Sequence, residues 1–166
     1  NIVITGGSRG IGLSIAKKMA KNGANIAILA KTDIPHPKLP GTIFTAAKEI
    51  EKFGVKVLPL KTDIRFEDQV ENAISKVINE FGSIDILVNN ASAINLFNSE
   101  TLPIKRYDLM HDINVRGTYL CSKICLSFGK LFIGQLFLLS FEVNVEYIHN
   151  KKFWIHLLYK IQIHHN

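Results

Sequence analysis

Four short apolar runs recur at near-regular intervals along the chain: Ile2–Thr5, NIAILA at 25–30, VKVLPL at 55–60 and IDILVN at 84–89. Stretches of helical periodicity separate them. Residues 10–22 place Ile11, Ile15 and Met19 on one face before Asn22-Gly23. Residues 43–53, IFTAAKEIEKF, close at Gly54. Residues 66–81 align Val70, Ile74, Val77 and Ile78 before Gly82. Apolar strands alternating with helices make a parallel sheet covered on both faces. Right-handed crossovers leave few ways to wind it. The expected fold class is therefore α/β, a doubly wound parallel sheet, with its ligand crevice outside the carboxyl ends of the strands.

A chain of 166 residues with 47% hydrophobic and 20% charged residues suits one globular domain. No run of about 18 apolar residues occurs, so no membrane span is expected; LFIGQLFLLSF at 131–141 reads better as a buried strand. The net charge of +6 is dispersed, and the doublets at 17–18 and 151–152 lack interleaved aromatics. A solvated surface explains this charge better than a nucleic-acid partner, although a nucleic-acid-binding module stays as an alternative of another class. Cys121 and Cys125 share a helix face without a CxxC or a neighbouring histidine, which favours reduced core thiols over a metal or redox site. The chain opens at Asn1 directly in a strand, with no initiator methionine or signal peptide, and the expectation is that the true N-terminus lies upstream.

Chemistry concentrates at the strand ends. After the first strand comes TGGSRGIG, in which Gly6, Gly10 and Gly12 permit a tight turn, close backbone approach to a pyrophosphate and close packing of helix on strand. The helix beginning there aims its free amides and dipole at bound phosphates. After the second strand, Lys31 stands where an NAD-specific site needs a carboxylate, with Asp33 two residues on; Arg9 adds a second cation. Two cations suit a ribose 2′-phosphate, so NADP(H) is the expected cofactor, with ordinary surface cations as the plain alternative. The loop at 31–42 carries Pro35, Pro37 and Pro40 and reads as stiff and extended. Asp63, Asn89 and Asn90 each have a plain reading as turn or cap residues, but each follows a successive parallel strand. Residues 103–128 read as helical material broken near Asn114.

TGGSRGIG, NNAS at 89–92 and INVRG at 113–117 together resemble the short-chain dehydrogenase/reductase family, over residues 1 to about 128. The resemblance implies a Rossmann-type fold and oxidoreductase chemistry: hydride transfer between NADP(H) and a carbonyl or alcohol. It further implies that Gly6, Gly7, Ser8, Arg9, Gly10, Ile11 and Gly12 hold the cofactor phosphates. Lys31 would lie beside the ribose, Asp63 at the adenine, and Asn90 and Ala91 near the ribose and nicotinamide. Asn114 would hold a water linking a catalytic lysine to solvent. A homo-oligomer or a full-length relative would pair through residues 103–128. By the same resemblance the protein is intracellular, in a peroxisome or mitochondrion, although no targeting signal is visible and the terminal HHN is not a peroxisomal one.

The expected domain is 1–130, followed by a divergent tail at 131–166. That tail contains no alanine, proline, aspartate, threonine or arginine. The family's catalysis needs a serine after the fifth strand, then a tyrosine with a lysine four residues later, the lysine lowering the tyrosine pKa. Ser140, Tyr147 and Lys151 are the candidates. Tyr147 follows Ser140 by only seven residues, against a dozen or so in the family, and EYIHNKKF lacks the small residues that let such a helix pack. The expectation is an enzyme that stops after its fourth or fifth strand with its catalytic half lost, or alternatively a silent cofactor-binding or interaction module.

Overall fold

The computed structural model describes residues 1–37, 40–128 and the backbone of 137–138. Five parallel strands, β1 (Ile2–Thr5), β2 (Ile26–Ala30), β3 (Val57–Lys61), β4 (Ile86–Asn89) and the short β5 (Phe137–Leu138), line up in the order β3-β2-β1-β4-β5. The order reverses at β1, between β2 and β4, which is the switch point that opens a crevice at the strands' carboxyl ends. The sheet is doubly wound, as the alternation requires.

Period-two alternation splits the core between the faces of the sheet. Ile2, Ile4, Ile26 and Ile28 pack on one side with Ala16, Ala20, Ile43 and Ile50 from α1 (Gly10–Lys21) and α2 (Ile43–Glu51). Val3, Ala27, Leu29 and Leu87 pack on the other with Val70, Ile74 and Val77 of α3 (Glu67–Phe81). Cys121, Ile124 and Cys125 of α5 (Thr118–Phe128) complete that layer. Removing any of these isoleucines to alanine costs about 2–5 kcal/mol by lost transfer energy and cavity formation. Burial pushes both thiols up to about 12, with Cys125 adding to the shift of Cys121, so they are protonated core groups.

Two expectations need correction. Ile15 and Met19 are partly buried against the core, but Ile11 is exposed, and the fully buried residues of α1 are Gly12, Ala16 and Ala20. Small side chains let the helix axis approach the sheet, and the isoleucine period is displaced from that contact. The helix over 103–128 is widened rather than broken. α4 (Ile104–His111) passes through a π-helical turn, Asp112–Gly117, directly into α5.

The Pro-rich loop ends at Gly41, where φ is 85°, and Thr42 caps α2. The Thr42 hydroxyl accepts from the Thr45 amide at 3.1 Å and the Thr45 hydroxyl accepts from the Thr42 amide at 2.7 Å. That is a reciprocal cap with threonine in place of the usual glutamate.

Candidate functional site

Gly6, Ser8, Arg9, Ile11, Gly12, Lys31, Asp63, Asn90 and Ala91 all line one cavity of about 370 Å³ at the carboxyl ends of β1, β2, β3 and β4. It is of the size that holds small ligands. Gly7 and Gly10 belong to the same turn but do not line it.

The glycines have distinct tasks. A Cβ on Gly12 would stand 2.6 Å from both the Asn90 side-chain nitrogen and the Gly6 carbonyl oxygen. A Cβ on Gly6 would stand 2.9 Å from Ala91 Cα, and φ there is 70°. These two glycines let the turn close against the end of β4. Gly10 differs: a Cβ would meet nothing within 4 Å, and glycine serves there for its backbone φ of 55°. The first turn of α1 has no side-chain cap and no acidic residue, leaving its amides and dipole available to an anion.

Thr5, absent from the sequence-level candidates, organises the junction. Its hydroxyl accepts from the backbone amides of Asn90 and Ala91, each at 3.0 Å. The Asn90 side-chain nitrogen donates to the Thr5 and Gly6 carbonyls at 3.0 and 3.2 Å. Asn90 thus braces the glycine turn instead of filling a loop. The T of TGGSRGIG carried the signal, since a 1% exposed hydroxyl at a strand end must find partners. Behind it Asn89 donates to Ser122 Oγ at 3.1 Å, and Ser122 donates to the Thr118 carbonyl at 2.8 Å.

The opposite end is held by charges. Arg65 forms a bidentate pair with Asp63, its Nη2 2.6 Å from Oδ2, and Lys31 Nζ lies 3.6 Å from the same oxygen. Burial raises the Asp63 pKa, but the hydrogen bonds from the Arg65 side chain and amide, with the charges of Lys31 and Arg65, outweigh it and hold the carboxyl below its ordinary range. Asp33 is 2.9 Å from Lys61, whose hydrogen bond lowers its pKa against a small burial effect. That pairing holds the one carboxylate following β2 on β3. Arg9 donates through Nη2 to the Gly41 carbonyl at 3.0 Å, while its Nε is buried without a partner among the described residues.

Asn114 does not line the cavity. Its side chain pairs with the backbone of Ala93 twice, accepting from N–H and donating to C=O, both at 2.9 Å. Both side-chain groups are thereby used to fix the loop after β4. Ser140, Tyr147 and Lys151 lie outside the described residues. A second Y-x-x-x-K, Tyr119 with Lys123, sits on α5. Both residues are exposed and neither lines the cavity, and Lys123 pairs with Glu67 at 3.1 Å. Among the described residues no cluster of His, Cys, Asp or Glu has the makings of a metal site, and no helix is long and apolar enough to cross a membrane.

A doubly wound sheet with a glycine turn at its switch point, braced by an asparagine after the fourth strand, defines a class of nucleotide-binding oxidoreductase folds. The family model for short chain dehydrogenases matches residues 1–130, and the chain belongs to that family. Among its relatives, human hydroxysteroid dehydrogenase-like protein 2 is 60% identical over 129 residues, covering 78% of this chain and 31% of the relative. A short chain dehydrogenase structure from Mycobacterium thermoresistibile is 59% identical with a TM-score of 0.74, covering 76% of this chain and 45% of that one. Another, from Burkholderia cenocepacia in complex with NADP, is 32% identical with a TM-score of 0.66, covering 76% and 49%. The chain thus spans about a third of the curated relative's length and about half of the solved structures.

Proposed function

We propose that the cavity binds NADP(H), and that the chain is the cofactor-binding part of an oxidoreductase acting on a carbonyl or alcohol. One observation carries the choice of cofactor. Two cations, Arg9 and Lys31, line the cavity, with Lys31 3.6 Å from Asp63, while the one carboxylate in the loop after β2, Asp33, is paired with Lys61 and does not line it. A 2′-phosphate satisfies such a pair of cations, whereas a free ribose diol needs a carboxylate acceptor. The uncapped start of α1, with no acidic residue in its first turn, suits a pyrophosphate.

In this reading the amides at Gly10 to Gly12 take the pyrophosphate, and Arg9 and Lys31 take the 2′-phosphate. Asp63 with Ile64 borders the adenine, and Asn90 and Ala91 border the nicotinamide half. The bound cofactor supplies or accepts the hydride. Asn114 fixes Ala93 so that the loop beside the reacting centre keeps its place. The proton for the substrate oxygen would come from Tyr147, with Lys151 lowering its pKa and Ser140 steadying the oxygen. The short Ser140-to-Tyr147 spacing argues that this step is impaired. Residence in a peroxisome or mitochondrion follows from the family resemblance.

A second reading is a catalytically silent module that pairs with another copy or a full-length relative. It is favoured by α4, which buries none of its residues and exposes Ile104 and Tyr107, continued by Val115 and Tyr119. Titration calorimetry separates the steps. NADPH binding at micromolar Kd, at least about tenfold tighter than NADH (about 1.4 kcal/mol), is expected. No heat with either nucleotide overturns the cofactor reading. Turnover of NADPH with carbonyl substrates, abolished in Tyr147→Phe, would overturn the silent one.

A further inference from the structure

The π-helical turn between α4 and α5 presents consecutive residues to both lips of the cavity. Ile113 lines the cavity itself, and Asn114 holds Ala93 on the lip formed after β4. On the other lip, the Arg116 guanidinium donates to the Arg65 carbonyl. Gly117 meets that same lip most closely. A Cβ there would stand 2.7 Å from both Cγ1 and Cδ1 of Ile64, and 3.2 Å from the Asp112 carbonyl oxygen. Carbon atoms do not approach so closely, so one of the two must move. Ile64 has little room to do so. It is 5% exposed and belongs to the core cluster containing Cys121 and Ile124, and its Cγ1 is not a flexible far end.

Ile64 also lines the cavity beside Asp63, whose carboxylate is fixed by Arg65 one residue further on. Displacing Ile64 therefore displaces the wall residue and the adjoining carboxylate together. We infer that Gly117 is a positioning residue for the adenosine end of the cavity: by lacking a side chain it lets the start of α5 seat Ile64, and through Ile64 it sets where Asp63 stands. The inference rests on the NADP(H) reading above. Helix propensity predicts the opposite outcome for Gly117→Ala, because alanine is the better helix former. The steric conflict decides between them.

The test uses the whole chain and adenosine 2′,5′-diphosphate, which carries the adenine and the 2′-phosphate but no nicotinamide. Kd is measured for wild type, Gly117→Ala, Ile64→Ala and the double variant, at a temperature where each is fully folded by circular dichroism. A defect in stability alone leaves Kd of the folded molecules unchanged. Gly117→Ala is expected to weaken binding at least tenfold in the wild-type background. In the Ile64→Ala background the same change should alter Kd by less than threefold, because the clashing atoms are gone. Unchanged binding by folded Gly117→Ala overturns the inference. If that variant does not fold, the same change is made in an Ile64→Val background, which keeps the γ carbon: a larger loss of binding there than in the Ile64→Ala background is expected, and equal changes in both overturn the inference. Absence of binding by wild type overturns the cofactor reading and the inference with it, whereas tight wild-type binding with no effect of Gly117→Ala overturns the inference alone.

Discussion

At the glycine-turn end of the cavity the geometry is held by contact. Gly12 leaves no space for a Cβ beside Asn90, and neutral hydrogen bonds from Asn90 and Thr5 join β1 to the end of β4. At the end beside β2 and β3, Asp63 is placed by Arg65 and Lys31, and Asp33 by Lys61. The first arrangement is part-buried, short-ranged and free of titratable groups, so it is indifferent to pH and salt. The second is partly exposed and answers to both. Steric fixation suits the part of a ligand common to all dinucleotides, and charge suits the part on which NADP(H) and NAD(H) differ.

Three changes sharpen or break that contrast. Gly12→Ala is expected to have the largest effect, because the new methyl would meet the Asn90 nitrogen and the Gly6 carbonyl at 2.6 Å. Loss of about 2–3 kcal/mol in denaturant unfolding is expected, with nucleotide binding abolished. A near-neutral Gly12→Ala would mean the turn is looser than its contacts imply. Asp63→Asn should cost about 1 kcal/mol at pH 7, and this cost should depend on pH. The folded carboxyl titrates below its unfolded value near 3.9, so its contribution is present above that value and lost as pH falls through the lower folded pKa. The stability difference between wild type and Asp63→Asn should therefore shrink as pH falls below the unfolded value of about 3.9; a difference that stays constant on acidification would show that no ionic stabilisation is involved. Lys31→Ala should have the smallest effect on stability, a few tenths of a kcal/mol, since the pair is 3.6 Å apart and the lysine is 57% exposed. Its preference for NADPH over NADH should nevertheless fall about tenfold. Raising the salt from 0.1 to 1 M should erode the wild-type preference in the same direction, as the screening length shortens from about 10 to about 3 Å. A preference unmoved by both would place the 2′-selective group elsewhere.

The contrast also explains what could be read without coordinates. Strand and helix order, and the grouping of Gly6, Gly12, Lys31, Asp63 and Asn90 at one end of the sheet, follow from local periodicity and from the rule that parallel strands share their carboxyl ends. The pairings of Lys31 and Asp33 did not follow, because charges on neighbouring strands meet according to register, which the sequence does not print. The Arg65–Asp63 pair is different, since two residues apart in DIR is a local signal that the turn reading passed over. Ile11 misled for a physical reason: periodicity ranks residues by hydrophobicity, whereas α1 against this sheet selects for small size, at Gly12, Ala16 and Ala20. The role of Asn114 was obscured by its place in a helix. Only the widened turn brings its amide to Ala93, and a π-helical turn leaves no compositional mark.

The two cysteines of α5 have a practical consequence. Burial pushes their thiols up to about 12, so near neutral pH they are protonated while packed in the helix–sheet layer, and only the thiolate reacts with an alkylating or disulfide reagent. Each labelling event therefore counts an excursion of α5 out of its packed position. The label-incorporation rate, followed against reagent concentration, is an intrinsic clock for breathing of the layer under the Ile64 lip, and a ligand that tightens that lip should slow it.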